Sequence, residues 1–168
     1  MLARSDDMIT EAEQARAAYR EAMANLAAAV TIVTTDGEAG RAGFAATAVC
    51  SVSDTPPTLL VCLNKGSSAY AAVKANGIIA VNVLGQQHQP VSQVFGGKTP
   101  MQERFATGTW ESGDTGCPIL SDALASFDCR IERMVDGGTH DILIAQVLAI
   151  HTHENAPLIY FQRGYHTL

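Results

Sequence analysis

The chain has 168 residues, 47% of them hydrophobic and 17% charged, with a formal net charge of −6 at pH 7. That length predicts one domain with a sizeable core, and the low charged fraction predicts apolar surface covered by a partner subunit. An acidic balance without a Lys/Arg cluster excludes a nucleic-acid footprint, and no apolar run reaches the ~18 residues of a membrane span.

The segment Met1 to Arg20 mixes acidic and basic residues without the apolar core of a signal peptide, so a cytoplasmic protein is expected. Residues 1–18 read as an extension running into a helix, and residues 19–168 as a single domain. From Glu11 to Ala28 the composition is helix-forming, with Ala15, Ala18, Tyr19, Ala22, Met23 and Leu26 as an apolar stripe at helical spacing. Thr10 and Glu13 fit a capping box. This helix reads as a packing or dimer element.

Val30 to Thr35 is β-branched and predicts a strand, closed by a turn at 36–40. Gly43 to Ser53 then reads as one strand in hairpin with it, loaded with small and hydroxyl-bearing residues. Such a surface packs poorly against a core but lets a flat ligand lie close to the backbone. A diproline corner, Pro56-Pro57, leads to the apolar run Leu59 to Leu63, which is long enough for a strand and too short for a helix. It ends in Asn64-Lys65-Gly66-Ser67-Ser68, and a helical stretch from Ala69 to Ala75 follows. A serine pair at a helix start offers a capping hydroxyl and free N–H groups to an anion, although the same serines fit a plain cap. A flat floor beside an anion cradle suggests flavin mononucleotide or a similar nucleotide.

Ile78 to Leu84 predicts another strand, reached by a crossover. His88, Gln89 and Gln93 fall on a short helix, and Thr99 with Pro100 predicts the capped start of another. Trp110 and Cys117 to Leu120 lie on short strands or loops. A long hairpin follows, Leu124 to Val135 and His140 to Ile150 about a turn at 136–138, and the chain closes with strand-like 157–161. Some six or seven strands, several without a helix between them, exclude a regular βαβ sheet. They favour a mainly β fold, a closed antiparallel barrel with helical inserts.

Neither a G-x-G-x-x-G after a strand nor a Walker loop is present, so the usual nicotinamide and ATP cradles are missing. The four cysteines form no C-x-x-C pair and read as reduced thiols. None of the five histidines is spaced H-x-x-x-H; His151 and His153 read as surface residues, and no metal site is expected. His140 sits just past a Gly-Gly-Thr turn at the mouth of a hairpin, where a lone histidine is most simply structural.

Taken in order, Ala28 to Thr35, the Gly43 to Ser53 strand, Asp54-Thr55-Pro56-Pro57, Val81-Asn82-Val83-Leu84, Gly138-Thr139-His140-Asp141 and Leu158-Ile159-Tyr160-Phe161 resemble the short-chain flavin reductase family. Its members are the small partners of two-component flavin monooxygenases. The likeness runs from about Tyr19 to His166. Gly40 to Phe44, Phe95 to Met101, Thr115 to Pro118 and Ser126 to Ile131 look like the pyrimidine-utilisation flavin reductases, with the 4-hydroxyphenylacetate monooxygenase reductases next.

The resemblance implies an FMN-binding split β-barrel and a homodimer with flavin near the subunit interface. It implies an NAD(P)H-dependent flavin reductase (EC 1.5.1 type) that takes FMN, or FAD, with NADH or NADPH as co-substrate. Reduced flavin would go to a monooxygenase partner or leave as a free diffusible product. Thr47, Ala48 and Ser51 are the isoalloxazine candidates, partly through backbone groups; family members often carry Thr where this chain has Ala45. Asn64 to Ser68 matches the phosphate-binding stretch, with Ser67 best matched. Ala69 replaces the second hydroxyl of the family's Ser-x-Thr, so Ser68 or a lysine compensates, and Lys98 is the candidate second cation. Gly138-Thr139-His140 stands for the family's Gly-Asp-His, whose histidine lies at the nicotinamide. Two other readings share the barrel: a flavoprotein that keeps its flavin and reduces a cob(II)alamin-type corrinoid, and a flavin-binding module without turnover.

Overall fold

A computed structural model describes residues 10–168, so the first nine residues of the expected 1–18 extension lie outside the described residues. Helix α1 (Glu11–Met23) opens on the expected capping box. Glu13 Oε2 accepts from Thr10 N at 2.8 Å and Thr10 Oγ1 accepts from Glu13 N at 3.3 Å, so two donors that a helix start leaves unpaired are satisfied. The helix stops short of the expected Ala28. Ala28–Ala29 is instead drawn into strand β1, which pairs with β11 (Ile159–Phe161). No α1 residue is buried, and Tyr19, Met23 and Leu26 stand exposed.

The helix is moored at its C-terminal end. β11 turns into β12 (Gly164–His166) through Gln162 and Arg163, both at positive φ (47° and 61°), the pair of conformations a two-residue type I′ hairpin needs. Neither is glycine, so the turn is held from outside. Gln162 N donates to Ala24 O at 2.8 Å, and Arg163 pairs with Glu21 at 2.7 Å.

Seven strands form the main sheet: β2 (Thr31–Thr35), β3 (Ala42–Ala46), β4 (Val49–Asp54), β5 (Pro57–Asn64), β6 (Ile78–Val83), β9 (Ala125–Asp136) and β10 (His140–Thr152). Their order is β3-β2-β6-β9-β10-β5-β4, every pairing antiparallel. β7 (Trp110–Ser112) and β8 (Pro118–Leu120) make a small separate ribbon. Consecutive β3 and β4 thus lie on opposite edges of the sheet. The stretch expected as one strand breaks at Thr47-Ala48, and only its first half hairpins with β2. Two residues joining opposite edges oblige the sheet to curl shut, which makes the expected barrel and places its seam at Thr47-Ala48. Ala48 O accepts from Cys62 N at 3.0 Å and pins β5 to that seam.

Alternation fills the interior. Leu59, Val61 and Leu63 of β5 point inward with Val33, Ile79, Val81 and Leu143, nearly all without solvent contact. A second cluster, Ile32, Leu84, Val91, Phe95 and Leu120, lies under α3 (Gln89–Gly96). Gly43 permits this packing, because a Cβ there would stand 2.7 Å from the Phe95 ring. One buried polar knot ties four strands, β6 to β2, β8 and β9: Asn82 Nδ2 donates to Ile32 O, and its Oδ1 accepts from Leu120 N and Ser126 Oγ. Every polar atom of that amide inside the core is paired, so its burial is affordable in free energy.

Two short helices complete the frame, α2 (Tyr70–Asn76) and α4 (Met101–Arg104). The residue before α4 is Pro100, not the expected Thr99, whose carbonyl is committed elsewhere. Among the described residues, no helix is long and apolar enough to cross a membrane.

Candidate functional site

The strand β3 and the seam after it form a floor with cavities on several sides. Phe44 and Ala45 line one of about 540 Å³ together with Asn64, Ser67, Ser68 and Lys98. The β5–α2 turn that supplies the serines is built by short bonds. Asn64 Oδ1 accepts from Gly66 N at 2.8 Å, and Ser67 Oγ accepts from Ala69 N at 3.2 Å. The N-cap of α2 is Ala69, which makes no side-chain cap bond, so Ser67 closes a turn one step ahead of the helix and does not cap it as expected.

The buried charge in this cavity is Arg104, a residue beyond those the sequence points to. Arg104 is 7% exposed, and its Nε donates to Thr99 O at 2.9 Å. Its Nη1 donates to Gly43 O at 2.8 Å and Nη2 to Ser68 Oγ at 3.3 Å. No carboxylate pairs with it among the described residues. Burial pulls its pKa below the ordinary value, yet arginine stays protonated in proteins. A cation surrounded only by neutral acceptors keeps its full field for an anion entering beside it. Lys98 lies on the same cavity but is exposed. In sequence, Arg104 looks like an ordinary basic residue in the last turn of a short helix, so nothing there distinguishes it.

A second cavity, of about 530 Å³, lies along the other side of the same floor, lined by residues 44–48, Asn64, His140 and Tyr19. Register brings its two halves together, since His140 at the start of β10 is the cross-strand partner of Asn64 at the end of β5. Partners of that kind sit within ~5.5 Å at Cα and put their side chains on one face. The phosphate-type turn and the imidazole are therefore mechanically coupled. Lys65 strengthens the link: its N donates to Thr139 O at 3.0 Å, and its Nζ reaches Asp136 at 2.8 Å and Asp141 at 3.4 Å. The hydrogen bond to Asp136 raises the Lys65 pKa and lowers that of Asp136.

The His140 ring is oriented by its neighbour, with Thr139 Oγ1 at 2.9 Å from Nδ1. The hydroxyl occupies the place where the family's motif has a carboxylate. Asp141 faces the other way, as strand alternation requires. It is 8% exposed and accepts from Tyr70 Oη at 2.5 Å, a bond that, with burial, raises the tyrosine's pKa.

Thr47, Ala48, Asn64 and His140 are thus gathered on one cavity, and Asn64, Ser67, Ser68 and Lys98 on its neighbour. Ser51 is not brought to either. It lies beyond the seam on β4, opposite Leu59, in a groove with Val49, Phe127 and Ile150. The break that closes the barrel carries Ser51 away from the floor, which corrects the expectation of one continuous hydroxyl-bearing strand. Phe44, Ala45 and Asn64 are common to both site cavities, and Tyr19, on a helix expected as a packing or dimer element, stands at the rim of the second. His151 and His153 are exposed on and just past the β10 end.

Known proteins resemble this chain over most of its length. A family model described as flavin reductase like domain matches residues 23–168. A protein of Agrobacterium fabrum named FMN reductase (NADH) RutF is 62% identical over 159 residues, 94% of this chain and 91% of that one. Among solved structures, a candidate flavin reductase from Haemophilus somnus superposes with a TM-score of 0.88 at 44% identity, covering 90% of this chain and 98% of that one. A homolog of nitrilotriacetate monooxygenase component B, from Mycobacterium thermoresistibile, superposes at 0.87 with 31% identity, covering 95% and 89%.

Proposed function

The chain belongs to the flavin reductase like family, and from that premise we propose that it transfers hydride from NADH, or NADPH, to FMN, with FAD as an alternative acceptor. Reduced flavin then passes to a monooxygenase, directly or by diffusion. The name of the Agrobacterium fabrum relative supports FMN and NADH as the pair, and that of the Mycobacterium thermoresistibile protein supports a monooxygenase as the consumer. We place the enzyme in the cytoplasm as a homodimer.

One observation carries the reading. A floor of small residues, 45–48, runs between a cavity holding an unneutralised buried guanidinium and a cavity holding an oriented imidazole. A flat ring with a phosphate tail matches the first two features, and a second ring stacked on it meets the third. Arg104, Lys98 and the hydroxyls of Ser67 and Ser68 hold the phosphate. Backbone groups at Thr47 and Ala48 hold the ring edge. His140, with Nδ1 engaged by Thr139, offers Nε2 to the nicotinamide.

When bound, the flavin supplies the hydride acceptor, and that chemistry is its own. The chain contributes orientation, which is worth on the order of 7–11 kcal/mol in the best-aligned systems. No side chain has to accept a proton from substrate carbon, so the site works without a triad or a carboxylate pair.

The test is NADH oxidation on addition of free FMN, together with gel filtration of the flavin-loaded protein. Turnover with flavin lost on the column supports the proposal. Turnover with flavin retained favours a flavoprotein that reduces another acceptor, and flavin binding without NADH oxidation favours a binding module.

A further inference from the structure

Beside the floor lies a cavity of about 380 Å³ that the roles above leave unused. It shares Ala45 and Thr47 with the His140 cavity, and Gly96 and Gly97 with the Arg104 cavity, so it opens onto both. Its outer wall is Tyr160 and Tyr165, with ring centroids 5.4 Å apart and planes at 66°. Both rings are fixed in advance. Ser92 Oγ lies 2.9 Å from Tyr165 Oη, and the rings pack on the buried cluster under α3.

Among the described residues lining this cavity none is charged. An anion placed there would lose hydration without a counter-charge, which disfavours phosphate and carboxylate. A neutral heteroaromatic ring with a polar edge gains instead, through contact with the tyrosines and hydrogen bonds to hydroxyls and the Gln93 amide. The volume lies within the ~300–1,000 Å³ of small-molecule sites.

We propose that this cavity receives the adenine ring of a dinucleotide. The inference rests on the flavin reading: with the flavin ring on the floor and its phosphate at Arg104, the tyrosine-walled space is the adjoining volume with the chemistry for a purine. Two dinucleotides carry that ring, NADH and FAD.

The experiment compares wild type with Tyr165→Leu, which removes the aromatic face and keeps bulk, and with Gln93→Trp, which fills the cavity from an exposed position. KM is measured for NADH and for reduced nicotinamide mononucleotide, which lacks adenosine, and Kd for FMN, FAD and riboflavin. Loss of base–aromatic stacking predicts a rise of about 5- to 100-fold in one adenine-bearing ligand. If NADH supplies the ring, KM rises for NADH in both variants and stays level for the mononucleotide. If FAD supplies it, Kd rises for FAD and not for FMN, while both nicotinamide KM values hold.

Equal rises for NADH and the mononucleotide overturn the proposal. So does equal weakening of FMN, FAD and riboflavin, which would seat the flavin ring there, and so does no change in any constant. Tyr165→Phe, which keeps the ring, remains near wild type. Failure of the flavin reading is separable, because wild type would then oxidise no NADH with FMN.

Discussion

A guanidinium held by backbone carbonyls and a serine hydroxyl, as at Arg104, has each of its nitrogens anchored while its charge and an Nη2 N–H are left for a ligand. That difference predicts the outcome of Arg104→Gln. FMN should bind about 10- to 100-fold more weakly, the effect of losing a charged hydrogen bond worth ~1.5–3 kcal/mol. Riboflavin, without the phosphate, should bind nearly as before, and an equal loss for both in a fluorescence titration would assign Arg104 a purely structural part. Lys98→Ala should cost less, since an exposed ammonium is screened by solvent. His140 has a different signature. His140→Ala should raise KM for NADH by the ~0.5–1.5 kcal/mol of a neutral hydrogen bond and leave FMN affinity alone. Stopped-flow reduction at saturating NADH should stay close to wild type. A collapse of FMN binding would refute that assignment.

At the scale of elements, the strands are legible wherever a turn or an uninterrupted apolar run marks them, as in the Asp136–Gly138 hairpin and the Leu59 to Leu63 run of β5. The seam at Thr47-Ala48 is not, because a break between two strand-like runs of small residues has no compositional signature; only the opposite-edge topology exposes it. Ser51 for that reason stands in a groove beyond the seam and not on the floor with Thr47 and Ala48, while the residues to which the serine turn and the resemblance point, Asn64, Ser67, Ser68, Lys98 and His140, line the two adjoining cavities. Arg104 and the Tyr160–Tyr165 wall depend on contacts far apart in the chain. The two buried thiols, Cys117 just before β8 and Cys129 on β9, add an element-level prediction. Burial pushes the Cys117 thiol up, and burial with the nearby Asp128 and Cys117 pushes Cys129 up to about 12. A thiol whose folded pKa exceeds its unfolded ~8.5 contributes stability that is full below pH ~8.5 and is lost as pH rises toward 12, by at most about 1.4 kcal/mol per pH unit. Denaturant melts should show that alkaline slope, and Cys129→Ala should flatten it. Thiol reagents should label exposed Cys50 at once and the buried pair only on unfolding. Rapid labelling of all four thiols in the folded protein would contradict this.

Across the whole molecule, the distribution of apolar surface is uneven, and the imbalance bears on assembly. α1 buries none of its residues against the barrel, leaving Tyr19 and Met23 open, with Leu26 just past its end. Past its bulge near Val147, β10 leaves Leu148 and Ile150 about half exposed, beside a groove that also contains Val49, Cys50 and Phe127. Apolar surface of this kind on a barrel with so few charged residues is what is expected at an interface and is costly to leave in water. Tyr19 further links assembly to the site, because the same exposed helix reaches the rim of the His140 cavity. From these observations we expect a homodimer of about 36 kDa, twice the 17.8 kDa chain. Light scattering at micromolar concentration should report that mass. Replacing Leu148 and Ile150 together by Glu puts two like charges from each subunit into the contact and should shift the mass toward the single chain, with the far-ultraviolet dichroism of the barrel retained. NADH-dependent FMN reduction should fall in the same variant if the subunit contact also steadies Tyr19 over the site. A fully active wild-type monomer would exclude the dimer, and an unchanged dimer in the double variant would exclude this patch as its interface.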